Sequence, residues 1–344
     1  MLFSSNLHLF KQLMSPIDER LSLLASSVDS MDDSSIVALF SDLRGIVASS
    51  CKTGEENAYE AFWEWFNFKG IGVVEKILQS RIHSSKVTNA VLKFLSEYVH
   101  NVENKISFPS FSPNGFILFR QVSHLLETFS RSYRLTSFSG SGADIYKDRL
   151  KCIRHCLETF DRMISGDFIN LGALVVYGDN CLLSCFTSVI EVVLCAPFDE
   201  IMLHEKPRRT YFHFLLVLSI KFPSLLGMLD PKMSGMIIKS IAEGMHNVDG
   251  KTVAHAAETF TVLIDYATTR IHRTFGGNTA EDLALSNVVL GACDVLSSCL
   301  RQSFKTLMFG SDENLSTLCT FVVSIMFCSP EVRIPDLSPH LTRF

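Results

Sequence analysis

Two cysteine pairs are the first residues whose spacing could do chemistry. Cys152 and Cys156, with His155 between them, stand four residues apart, and so do Cys181 and Cys185. On a helix of about 3.6 residues per turn that spacing puts both sulfurs on one face, and two such faces brought together would make a tetrahedral zinc site. Zinc-binding turns, however, use shorter spacing, and both pairs lie in apolar stretches where cysteine acts as a small hydrophobe. The expectation is buried, reduced thiols, with no metal and no cofactor.

Other reactive arrangements are missing from the sequence. The histidines form no HExxH and no paired spacing with carboxylates; His8, His83 and His246 fall near helix ends, where a cation suits the helix dipole. There is no GxSxG, no phosphate loop of the GxxxxGKS or GxxxxGKT type, and no GxGxxG behind a strand, while Gly276-Gly277 reads as a helix–helix loop. No catalytic residue is expected, and the chain is read as not an enzyme. Two groups could bind rather than react. Phe62, Trp63, Trp65, Phe66 and Phe68 could form a peptide platform, although their helical spacing suits core packing. Lys206-Pro207-Arg208-Arg209 could meet a phosphate or an acidic partner, or be a solvated helix start. With a net charge of -5, nucleic acid is not expected as a ligand.

The elements that would hold these residues are helices. Hydrophobic residues make up 47% of the 344 and charged ones 19%, enough to bury many helices on more than one side. Ile36, Val37, Phe40, Leu43 and Val47 recur at three- and four-residue spacing behind Asp33 and Ser34, which can cap them. The pattern returns at Val87 to Val99, Ile153 to Ile164 and Val253 to Ala267, and no period-2 strand run is convincing. Ser15-Pro16 reads as a cap with proline in the first turn; Pro207, Pro223 and Pro231 open segments, and Gly166 and Gly244 close them. Apolar runs such as the uncharged Leu315 to Cys328 and the longer Leu182 to Phe198 are too short or are interrupted by Glu191, so core helices rather than membrane insertion are expected. Helix pairs recurring every 40 to 60 residues, as the breaks place them, suit HEAT or armadillo-type repeats. The predicted fold is therefore all-α: one continuous helical-repeat solenoid (an α-α superhelix) over residues 1–344, with flexible loops near 102–113 and 132–143.

Several strings, in order, resemble the C-terminal third of the exportin-7 (Ran-binding protein 16) family. They begin with Asp42-Leu43-Arg44-Gly45-Ile46, Lys52-Thr53 and Glu64-Trp65. Val99-His100-Asn101, Ser112-Pro113-Asn114-Gly115 and Leu118-Phe119-Arg120 follow. Gly166, Asn170, Gly172 and Tyr177-Gly178-Asp179 come next, and Ile241, Glu243 and Gly244 close the series. Each string is short; their colinear order from about Phe40 to Met245 is what is specific. The strings look like helix-packing and turn positions, Asn114-Gly115 and Gly178-Asp179 being turn chemistry.

The resemblance implies a karyopherin of the importin-β superfamily. Such a receptor wraps protein cargo and Ran-GTP, contacts phenylalanine-glycine (FG) repeats of nucleoporins, and shuttles between nucleus and cytoplasm. Its relatives recognise folded, basic surfaces. The implied function is Ran-GTP-dependent nuclear export of protein cargo, with this chain as the C-terminal part of a longer receptor or a divergent short form. The alternative is a structural helical-repeat scaffold subunit. Neither end reads as a polar cap: Leu2, Phe3, Leu7, Leu9, Phe10 and Leu13 line one, Phe321, Val322, Ile325, Met326 and Phe327 the other. Self-association of the chain alone, and weak Ran-GTP binding, are therefore expected.

Overall fold

A computed structural model describes residues 7–28, 31–50, 52–53, 56–109, 111–136, 149–272, 279–309 and 314–328. Among them the chain is helical apart from turns and one local hairpin, in which Lys52 pairs with Asn57 and Thr53 with Glu56. The chain divides into two compact units, Met1–Pro207 and Arg208–Phe344. The predicted loop at 132–143 lies, beyond Thr136, outside the described residues, as do Leu2, Phe3 and Gly276-Gly277.

In the first unit the long helices are α1 (Leu7–Ser26), α2 (Asp33–Ser49), α3 (Ala58–Ser80), α4 (Ser85–Tyr98), α5 (Asn114–Leu135), α6 (Lys151–Ser165) and α8 (Cys181–Leu194), with short α7 (Leu171–Val176) before the last and short α9 (Phe198–Leu203) after it. They pack in two rows. Helix α1 lies on α3, α3 on α5 and α5 on α8, while α2 lies on α4 and α4 on α6. Cross-contacts of α3 with α4, α5 with α6 and α6 with α8 join the rows. This is helical-repeat packing, each helix meeting its counterpart in the next pair.

Helix starts follow their local chemistry. Asp32, one residue before the expected cap, accepts from the amides of Ser34 and Ser35, and Ser84 caps α4 through Val87. Pro16 departs from expectation. It sits inside α1 rather than at a start. Proline there removes a backbone bond and strains the helix by about 3 kcal/mol. The cost is outweighed because Phe10, Met14, Ile17, Leu21 and Leu24 form one buried stripe that runs through the proline.

In the second unit α10 (Glu205–Lys221) begins just ahead of the division, and α11 (Ser224–Met228), α12 (Pro231–Met245), α13 (Gly250–His272), α14 (Ala280–Gly291), α15 (Cys293–Phe309) and α16 (Leu315–Cys328) follow. Helix α12 packs on α13 and α15, and α13 on α14 and α16. Asp230 caps α12 with Pro231 behind it, and Thr279 with Asp282 closes a capping box on α14. No single described helix is long and apolar enough to cross a membrane; α14 and α15 pass such a test only as a pair, bent by 56°.

Within the stretch 102–113, expected as a flexible loop, the described residues hold a short 3-10 turn, Val102–Asn104, and are fastened at several points. Lys105 and Ile106 are buried. Asn101 accepts from the Ile106 amide at 2.8 Å, and the Phe108 ring stands 5.2 Å from Trp63 and 6.3 Å from Tyr59.

Candidate protein-binding surface

The cysteine pairs meet in the interior. Cys152 and Cys156 on α6 and Cys185 on α8 are buried, and Cys181 is half-buried. Burial pushes the Cys156 and Cys185 thiols up, each neighbouring thiol adding to it. His155 turns to Glu158, with Nδ1 2.8 Å from the carboxylate, and Arg154 reaches the same acid. Among the described residues no three His, Cys, Asp or Glu side chains converge as metal ligands. Of the histidines placed at helix ends, His246 follows α12 and holds its Nδ1 2.8 Å from the Ala242 carbonyl.

The aromatic run is spent on packing. Phe62, Trp63 and Phe66 are buried, and Phe66 stands within 5.7 Å of Phe62, 5.0 Å of Phe94 and 5.3 Å of Tyr98. Trp65 is half-buried and its indole donates to Asp18 on α1, which also receives Lys69 at 2.6 Å. Phe68 faces solvent. A platform built of all five rings is thus not what the fold presents.

The basic run at 206–209 differs from a simply solvated helix start. Arg208 and Arg209 both turn onto Asp249 ahead of α13, Arg209 with 2.7 and 3.0 Å bonds. The Arg209 hydrogen bond, then Thr252 and the two arginine charges, hold the Asp249 carboxyl well below the usual carboxylate range. Asp249→Asn is expected to cost about 2 kcal/mol, a melting shift of roughly 5–10 °C in the second unit. Because the folded pKa is depressed, Asp249 contributes fully above the unfolded aspartate value of about 3.9, and the contribution is lost as pH falls through the folded value. Calorimetry of both proteins between pH 7 and acid checks this: the two should converge at low pH, and a constant difference would refute the assignment.

Two pairs of the colinear strings prove to be partners. Asn101 donates to the Gly166 carbonyl at 2.6 Å, tying the end of α4 to the end of α6. Arg120 on α5 donates through Nε to Asp179 at 2.9 Å, and Asp179 also accepts from the Cys181 amide at the start of α8. Gly178, at φ +68°, ends α7: its amide returns to Val175 and that of Asp179 to Leu174, the Schellman pattern that favours glycine. Asn114-Gly115 is not a turn. It opens α5, and a Cβ on Gly115 would stand 2.6 Å from Ile169 and 2.9 Å from the Phe168 carbonyl, so the helix start is pressed against the 168–169 backbone. Gly244 likewise makes room for the Phe212 ring. Sequence reasoning placed these residues at junctions; it had no signal for who pairs with whom.

Around the Arg120–Asp179 junction the surface is apolar. A depression of about 650 Å³ is lined by Pro113, Phe116, Leu174 and Tyr177 beside that ion pair. Val176 and Tyr177 are 82% and 86% exposed, and Phe111 is 94% exposed nearby in sequence to Pro113. Large apolar side chains held in solvent by a rigid cap are a feature of interaction sites. The arrangement can seat a small apolar or aromatic side chain; it holds no nucleophile paired with a base.

No protein-family model matches the chain. In fold it is similar to a crystal structure of an engineered protein (TM-score 0.52, 13% identity), over 90% of this chain and 96% of that one. In sequence it is 26% identical to Exportin-7-B of Xenopus laevis over 246 residues, 70% of this chain. It is 29% identical to Exportin-7 of Dictyostelium discoideum over 62% of its length, and 24% identical to Ran-binding protein 17 of Mus musculus over 67%. The chain spans about a fifth of the length of these relatives, 22% of the Xenopus protein and 21% of the other two. The names describe transport and Ran-binding proteins, not enzymes. Over most of its length, then, this all-α chain has exportin-7 and the Ran-binding proteins 16 and 17 as its curated homologues, the relatives its colinear strings resemble.

Proposed function

We propose that the chain is a helical-repeat part of a nuclear transport receptor of the exportin-7 type, working in Ran-GTP-dependent export of protein cargo and shuttling between nucleus and cytoplasm. What supports the reading is the sequence similarity to exportin-7 and Ran-binding protein 17 over most of the chain, together with helix rows fastened by Asn101 on Gly166 and Arg120 on Asp179, residues of the strings that resemble that family. The role is binding rather than catalysis.

Within it, the depression beside Tyr177 is where an FG-repeat phenylalanine docks, its ring against Phe116, Leu174 and Tyr177. Such contacts are individually weak and need little polar recognition. The test is capture of the full chain by immobilised FG repeats and, separately, by Ran loaded with GTP or GDP. Retention on FG repeats, falling about tenfold (about 1.4 kcal/mol) when Val176→Asp and Tyr177→Ser are combined, is expected. Ran-GTP binding is expected to be weak for this portion and stronger in a longer product carrying further repeats. Failure to bind FG repeats, with Ran-GTP and Ran-GDP indistinguishable even for the longer product, would leave a structural scaffold as the better reading.

A further inference from the structure

A second depression, about 850 Å³, runs between α2 and α4 in the first unit and ends at the start of α6. Its two rails are helical faces. Ser34, Val37, Ser41 and Arg44 recur at three- and four-residue spacing on α2, and Lys86, Ala90 and Lys93 on α4. At 1.5 Å per residue the α2 rail is about 15 Å long, the span of four or five extended residues. Small side chains at Ser34, Ser41 and Ala90 keep it open.

Its charges are arranged unevenly. Asp32 and Asp33 stand at one end, and both are engaged: Asp32 caps α2, and Asp33 accepts from Ser84 at 2.5 Å and pairs with Arg81. Arg44, Lys93 and Lys151 gather toward the other end, with Lys86 along the α4 rail. Among the described residues Arg44, Lys86 and Lys93 form no ion pair. Glu158, the acid that acts on Lys93, is held by Arg154 and His155. Burial and then the charges of Arg44, Lys151 and Arg154 lower the Lys93 pKa, so these cations repel one another at rest.

We infer that this groove binds an extended acidic segment of a partner protein, with carboxylates at Arg44 and Lys93 and the segment's uncharged stretch beside Asp32 and Asp33. Charge complementarity selects the occupant. A nucleic-acid strand would carry a phosphate past the aspartate end as well, and Phe40, the groove's aromatic residue, is fully buried and offers no face for a base. A peptide can place its discrete charges at the cationic end alone. The inference does not depend on the transport reading.

The experiment uses the full chain and fluorescence anisotropy with a labelled peptide of roughly eight residues mixing Glu and Ser. The same peptide with Gln for Glu, and a single-stranded oligonucleotide of matched charge, are the comparison probes. Binding of the Glu peptide, weakened by salt and lost about tenfold in Arg44→Glu and in Lys93→Glu, is expected. Lys93→Gln should lose less, and Lys239→Glu, an exposed charge change in the second unit, should lose nothing. Melting curves confirm that the variants fold. The inference is overturned if the Glu peptide binds no better than its Gln counterpart, or if folded Arg44→Glu and Lys93→Glu proteins bind it unchanged. It is equally overturned if the oligonucleotide binds more tightly and the same substitutions abolish that binding.

Discussion

Gly70→Ala is expected to destabilise the first unit by about 3 kcal/mol, and to stabilise it once Phe66 has been cut back to alanine. A Cβ on Gly70 would fall 2.0 Å from the Phe66 ring, inside any allowed contact. The ring cannot retreat, since Phe62 stacks on it and Phe94 and Tyr98 meet it edge-on. Phe66→Ala alone is expected to cost about 3–5 kcal/mol through lost burial and the cavity left behind. In that background the three nearest atoms to the Gly70 Cβ, all of the Phe66 ring, are gone, and alanine recovers the helix propensity that glycine lacks, up to about 1 kcal/mol. Gly72, two residues on, has nothing within 4 Å of its virtual Cβ, so Gly72→Ala should stabilise the otherwise unaltered chain. Urea unfolding of the four proteins gives the coupling. A neutral or stabilising Gly70→Ala in the presence of Phe66 would show that the ring is not pinned.

Glu97→Gln is expected to be comparably severe, about 3 kcal/mol at neutral pH. The Lys105 ammonium is drawn inside the first unit, where it donates to the Val47 carbonyl and to Glu97, both at 3.2 Å. Arg162 from α6 reaches the second Glu97 oxygen at 3.4 Å, so one carboxylate joins two helices and a loop. Burial pushes the Glu97 carboxyl up, but Lys105, Arg162 and His100 more than offset it, and its pKa lies below the usual value. Its contribution is therefore complete above the unfolded glutamate value of about 4.3 and is lost as pH falls through the folded value. Burial already lowers the Lys105 pKa, and removing the carboxylate lowers it further. With a folded lysine pKa below the unfolded one, Glu97→Gln should regain stability as pH rises toward 10 and Lys105 loses its proton. Pairing Glu97→Leu with Lys105→Met should recover most of the loss, because no buried charge remains. If the double variant is no more stable than Glu97→Gln, burial of Lys105 is not the cause.

The helical class and most helix positions were legible in the sequence because they depend on groups within a turn or two of one another. The three- and four-residue period of Ile36 to Val47 and the proline behind Asp230 act locally, and the helices form where they predict. Local reading also erred for local reasons. Pro16 reads as a helix start, yet α1 runs through it once its apolar stripe finds α3. The cysteine pairs and the aromatic run were legible as faces, but not as to which face would be covered.

What only the tertiary structure decided are the partnerships between residues far apart in the chain. Arg120 and Asp179 are 59 residues apart, Asn101 and Gly166 are 65, and Arg209 and Asp249 are 40. Nothing in a short window distinguishes an arginine that will fasten two helices from one that will face water. Arg44 and Arg209 look alike in sequence, but stacking gives Arg209 a carboxylate and leaves Arg44 on an open groove. The difference arises because a helix sets the direction of its own side chains, whereas the register of one pair on the next sets what each side chain meets.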